Sequence, residues 1–220
     1  MAQVKRITQG SGDGNKTDQA GTLTVANLGN TNLRLVRFSG DAIAHDLRLP
    51  TPDAATQLPP LDPGSPIVLV SVVPAVAKDL LAAWADHPVV VVNAETAGLR
   101  LDYAPPTALG ADRLANAAAL VAGPGWGIAI DCGTATTLTV VDRAGVVRGG
   151  AIMPGLGTAR ASLVTRTAQL PEVPLEAPEG PWGITTIGSI QTGLVHGHVG
   201  AIAHLVERMR AELGADAPAV

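Results

Sequence analysis

Apolar and polar positions alternate from Thr22 onward, where Leu23 and Val25 open a strand. A turn follows at Leu28-Gly29-Asn30, and Leu33, Leu35 and Phe38 alternate with polar neighbours as a second strand. Gly40 and Asp41 turn the chain toward a short strand near Ile43. Thr51 to Pro66 carries five prolines and reads as a loop. Ile67 to Val73 is a continuous apolar run, the pattern of a strand covered on both faces. Pro74 then opens a helix whose apolar stripe is Val76, Leu80, Leu81 and Trp84. Val89 to Val92 reads as another buried strand, and Asp112 to Val121 as an Ala-rich helix ended by Gly123-Pro124-Gly125. This succession of strands and helices predicts an α/β fold with parallel pairing.

The second half begins as the first does. Ile128 to Asp131 reads as a strand, Cys132-Gly133-Thr134 as a turn, and Leu138, Val140 and Val141 as a returning strand. Gly145 closes the next hairpin, and Val146 to Ile152 gives a third strand. Placing Asn27-Leu28-Gly29-Asn30 over Asp131-Cys132-Gly133-Thr134 brings Phe38-Ser39-Gly40 within one residue of Arg143-Ala144-Gly145. Two related lobes are expected, residues 22–115 and 116–220, after a polar tail from Met1 to Gly21. A late helix runs from Thr186 to about Leu213, with a break expected near Gly197 to Gly200.

Composition narrows the function classes. The chain has 220 residues, enough for one large domain or two small ones. Aromatics are 2%, which disfavours base-stacking platforms, and the net charge of −4 gives no electrostatic reason for nucleic acid or an anionic membrane. A lone cysteine, Cys132, excludes an intrachain disulfide framework and fits a reducing cytosol. No apolar run is long enough for a membrane span, and Lys5 and Arg6 precede no apolar segment of a signal peptide.

The two glycine turns are the first candidates for chemistry. A glycine in a tight turn lets backbone N–H groups approach a phosphate, and Asn30, Thr31, Thr134 and Thr136 can add donors. Asp131, at a strand end, is placed to hold a cation or a metal-bound water. Either turn alone reads equally as an ordinary hairpin; the pair can grip a nucleotide's phosphates. Asp112 in Gly110-Ala111-Asp112-Arg113 reads either as a helix cap or as a general base, with Arg113 binding a carboxylate bidentately. No P-loop is present, and Gly123 to Gly127 precedes a strand where a dinucleotide fingerprint would follow one. His196, His198 and His204 read as solvated or helix-packing, and Cys132 as packed behind its turn.

These residues together resemble the type III pantothenate kinases of the acetate and sugar kinase, Hsc70 and actin superfamily. Asn27-Leu28-Gly29-Asn30-Thr31 resembles the first phosphate motif, and Ser71-Val72-Val73-Pro74 a Ser-Val-Val-Pro element. Tyr103, Pro106 and Gly110 to Arg113 resemble the substrate segment, and Asp131 to Thr137 the second phosphate motif. Gly149 to Leu156, Thr167 to Pro171, and Gly183-x-x-Thr186 with Ile190 to Gly193 continue the pattern in order.

The resemblance implies two actin-like (ribonuclease H-like) lobes with a nucleotide cleft, ATP-dependent phosphorylation of pantothenate, and the first step toward coenzyme A. It implies that ATP phosphates lie against Asn27, Leu28, Gly29, Asn30, Thr31, Asn32, Leu33, Arg34 and Thr134. Asp112 would be the catalytic base and Arg113 the carboxylate ligand, with Tyr103, Gly110, Ala111 and Thr186 completing the pantothenate site. Asp131 would bind a monovalent cation, K⁺ or NH₄⁺, beside Mg²⁺ on ATP, in a cytoplasmic homodimer. The family's first aspartate is Asn27 here, so the alternative expectation is an impaired kinase-fold protein with a binding or regulatory role.

Overall fold

The computed structural model describes residues 21–220, so the expected tail lies outside the described residues except for Gly21. The chain divides into two compact units, the first ending at Ala122 and the second beginning at Gly123.

The first unit is built on the sheet β3-β2-β1-β4-β5. Strands β1 (Thr22–Leu28), β2 (Asn32–Ser39) and β3 (Ala42–Pro50) form an antiparallel meander, while β4 (Ile67–Ser71) and β5 (Val89–Val91) run parallel to β1. One face is apolar because alternate residues of three strands, Ala26, Leu28, Leu33, Leu35, Ile67 and Leu69, all point to it. Helix α1 (Pro74–Ala83) covers that face with Ala77, Leu80 and Trp84. Leu81, expected in the stripe, is 37% exposed; the buried stripe is shifted by the three-residue spacing from Ala77 to Leu80. Strand β3 is longer than its sequence suggested, because backbone pairing to β2 extends it through mostly exposed residues. The proline-rich stretch buries Ala54 and packs Leu58 and Leu61 on the core, so it is a cover as well as a loop. A two-residue strand β6 (Arg100–Leu101) and helix α2 (Ala111–Ala122) complete the unit.

The second unit repeats the meander with β7 (Gly127–Cys132), β8 (Ala135–Val141) and β9 (Val146–Pro154). Each meander carries a register shift toward its far end, at Arg37/Phe38 and at Val140/Val141. In both meanders the extra residue falls on the third strand, Ala44 in β3 and Arg148 in β9. Helix α4 (Thr186–Leu213) packs Leu205, Val206, Met209 and Leu213 on Ile128, Leu138 and Val140. It runs unbroken through Gly197 and Gly200, since α-helical glycines cost stability without forcing a kink. Helix α3 (Leu156–Arg166) was not expected; it buries no residue and so leaves no apolar stripe to read. Residues Pro218 to Val220 return to β7, bonding to Ile128 and Ile130. Among the described residues, no helix is long and apolar enough to cross a membrane.

Candidate active site

In the first unit, parallel strands β1, β4 and β5 end at the same edge of the sheet, where α/β folds bind ligands. The Asn27 side chain shares the sheet face opposite the apolar core with Arg34, its cross-strand partner. The turn between β1 and β2 is closed by Gly29 N–H donating to the Asn32 carbonyl at 2.9 Å. It is anchored from outside by Thr51, whose hydroxyl donates to the Gly29 carbonyl at 2.7 Å and whose N–H donates to Thr31. Asn30 and Thr31 are exposed at the tip. Arg34 binds Asp46 through both Nε (3.0 Å) and Nη2 (2.6 Å). That pairing holds the Asp46 carboxyl below its ordinary range.

Ser71-Val72-Val73-Pro74 turns β4 into α1. The Ser71 hydroxyl accepts from Val73 N–H at 3.1 Å, and Pro74 occupies the first helical position, where no N–H is needed. A cleft of about 510 Å³ lies beyond this turn, bounded by Ser71, Val72, Asn93, Glu95 and the segment Thr107–Ala111. Asn93 and Glu95 were not read from the sequence. The available signal was the Asx turn at Asn93, whose Oδ1 accepts from Glu95 and Thr96 N–H groups, both at 2.9 Å.

Gly110 leads from that cleft into α2. A side chain there would sit 2.6 Å from Asp112 Oδ1, so the glycine makes room for the carboxylate. Asp112 lies in the first helical turn, and its Oδ1 accepts from Arg113 N–H at 2.8 Å. The carboxylate thus satisfies a first-turn donor and keeps its other oxygen for further partners. Arg113 is only 5% exposed, with its guanidinium carbon 5.6 Å from the centre of the Tyr103 ring. Its Nε and Nη2 are buried and have no hydrogen-bond partner among the described residues. These two N–H groups form the same parallel fork that Arg34 uses to clasp Asp46. A buried cation with an unpaired fork is costly unless a carboxylate or phosphate fills it. Tyr103, Gly110, Asp112 and Arg113 are therefore one constellation.

In the second unit, Gly133 N–H donates to the Ala135 carbonyl at 3.0 Å and closes the β7–β8 turn. This turn is one residue tighter than its counterpart: Cys132 pairs with Thr136, whereas Leu28 pairs with Leu33. The Thr134 carbonyl accepts from Gly155 N–H (3.0 Å) and from the Thr158 hydroxyl (2.6 Å), which seats the start of α3 against the turn. Gly155 must lack a side chain, because a Cβ would collide with the Gly133 carbonyl oxygen and lie 2.9 Å from that of Thr134. Asp131 is exposed opposite Thr137, whose buried hydroxyl has no partner among the described residues. Cys132 is exposed, contrary to the expected packing behind the turn, since β7 extends there past its buried residues. His196 and His204 are exposed and His198 is buried. Thr186 is exposed at the first position of α4, whose start is capped by the Thr185 hydroxyl accepting from Gly188 N–H at 3.1 Å.

Comparison with known proteins meets this geometry from a separate direction. A family model described as type III pantothenate kinase matches residues 23–208. A type III pantothenate kinase from Frankia alni is 36% identical over 215 residues, covering 90% of this chain and 85% of that protein. One from Thermomicrobium roseum is 36% identical over 217 residues, covering 90% and 84%. A crystal structure of a conserved Baf-family protein from Campylobacter jejuni has a TM-score of 0.58 at 18% identity, covering 83% of this chain and 78% of that one. The last likeness extends to the fold alone. The match runs through both glycine turns and the Gly110–Arg113 constellation, and on it the chain belongs to the type III pantothenate kinase family.

Proposed function

We propose that the chain transfers the γ-phosphoryl group of ATP to the primary hydroxyl of pantothenate, opening coenzyme A synthesis. In this reading the two units are the two actin-like lobes of the superfamily. The observation that carries the proposal is Arg113, whose buried, unpaired Nε–Nη2 fork calls for a carboxylate such as that of pantothenate. Tyr103 holds the guanidinium from one ring face.

Asp112 orients the pantothenate hydroxyl and accepts its proton as the new O–P bond forms and the bond from Pγ to the ADP oxygen breaks. In each unit the tip of the glycine turn, Asn30-Thr31 or Thr134, would offer backbone N–H groups to phosphate and stabilise the charge that spreads over it. Arg34 shares its guanidinium with Asp46, so it contributes to phosphate binding only in competition with that carboxylate.

Among the described residues, no group of three or more His, Cys, Asp or Glu forms a metal cage. Mg²⁺ bound with ATP needs none, because substrate phosphates and water fill most of its positions. The residues fit that mode, with the Asn27 amide as a neutral oxygen donor. For a monovalent cation, the Asp131 carboxylate and the unpartnered Thr137 hydroxyl across the ladder are a fitting oxygen pair. When bound, these cations supply positive charge against the ATP phosphates. A homodimer in the cytoplasm completes the proposal.

Steady-state kinetics of two variants test the roles. Asp112→Asn keeps the first-turn acceptor and is expected to lower kcat about 10²–10⁴-fold with little change in melting temperature. Arg113→Ala is expected to raise the pantothenate KM about 10–100-fold, the loss of a charged hydrogen-bonded contact. Undiminished turnover in Asp112→Asn removes it from the role of base.

A further inference from the structure

We infer that His198 is a positioning residue for the second phosphate turn, acting through Thr136. The inference rests on the kinase reading and adds a residue to it. Thr136 is fully buried and His198 is 9% exposed, with Oγ1 and Nε2 3.0 Å apart. A hydroxyl both donates and accepts, so this bond forms with either ring tautomer. Thr136 pairs with Cys132 across the ladder and so closes the hairpin whose tip is Gly133-Thr134-Ala135. The start of α3 fixes the same tip from its other side, through Gly155 and Thr158 on the Thr134 carbonyl. The tip is thus pinned at its carbonyl by α3 and at its root by α4.

Packing alone does not ask for a histidine here. Thr136 shares with Leu138 and Val140 the face of β8 that α4 covers. The helix meets that buried hydroxyl with a ring nitrogen, at the residue of this face nearest the turn. A leucine at position 198 would offer comparable apolar bulk without that bond. Backbone N–H groups stabilise phosphate charge best when their directions are set before the ligand arrives, which makes the root of the turn worth fixing.

The test uses the full chain as wild type, His198→Leu, His198→Gln, Thr136→Val and the double variant Thr136→Val/His198→Leu. Melting temperature, kcat and the KM values for MgATP and pantothenate are measured for each. His198→Leu and Thr136→Val are each expected to raise the MgATP KM about three- to tenfold and leave the pantothenate KM unchanged. His198→Gln, whose amide reaches the Nε2 position, is expected to restore most of the loss. The double variant is expected to be no worse than the worse single one, because both act on one bond. A lowered melting temperature with wild-type MgATP KM, or equal shifts in both KM values, overturns the inference. If His198→Leu does not fold, a wild-type MgATP KM in the near-isosteric Thr136→Val overturns it. If the wild type turns over no pantothenate, the kinase reading fails and MgATP calorimetry on the same proteins decides the role of His198. Absence of MgATP binding by the wild type overturns both.

Discussion

At the scale of single residues, charge and burial decide the site. Arg113 reads from sequence as a carboxylate ligand, but its 5% exposure does not, because burial depends on the surrounding fold. The helix-start reading of Asp112 was legible, and one of its oxygens serves a first-turn N–H; the proposed role as base rests on the other. The exposure of Cys132 was not legible, since a strand's end and a strand's core share one alternating pattern. Asn27 is exposed at the end of β1, facing Arg34 across the ladder. An amide there offers oxygen without charge, and loss of an outer partner to a metal typically costs about 10–100-fold. Asn27→Asp is therefore expected to raise kcat/KM for MgATP by about that factor. Equal values for both forms, measured over a Mg²⁺ titration, would show that the position does not tune the metal.

Elements carry those residues, and here local pattern and tertiary packing part company. The meanders, α1, α2 and the parallel strands were legible from their alternation, stripes and apolar runs. Helix α3 was not, because it buries no residue and is tied at its start by hydrogen bonds from Gly155 and Thr158 to the Thr134 carbonyl. The return of residues 218–220 to β7 was equally hidden, being a long-range backbone pairing. The contact between α3 and the turn gives a sharp test. A methyl group at position 155 would strike backbone carbonyls that have no rotamer to yield, so turn and helix must separate. Gly155→Ala is expected to destabilise the fold by about 1–3 kcal/mol and to weaken MgATP binding in calorimetry. Stability and binding both at wild-type level would contradict the buttress.

Across the whole molecule, the same three-stranded meander occurs twice, with a glycine turn near one end and a bulge near the other. The repeat was legible from the spacing of the turns, and the two compact units divide after Ala122. Stability against acid is expected to depend on the far turn of the second meander. The Asp142 carboxyl is held below its usual range, chiefly by Val146 N–H, then by Arg148 and Ala144 N–H, with burial opposing. A carboxyl depressed in the folded state stabilises it above the unfolded value of about 3.9 and loses that contribution as pH falls through the folded value. Urea midpoints of Asp142→Asn should therefore fall less than those of the wild type between pH 7 and pH 3. Parallel pH profiles would remove Asp142 from the acid response.

The central claim is that this chain phosphorylates pantothenate, and it meets its most direct test in ADP release by the purified wild type. The assay contains MgATP, K⁺ and pantothenate, with mass detection of 4′-phosphopantothenate. The expected result is ADP formation that requires pantothenate, rises with K⁺ and matches the phosphorylated product mole for mole. No pantothenate-dependent ADP at millimolar ATP, Mg²⁺ and K⁺ would contradict the claim.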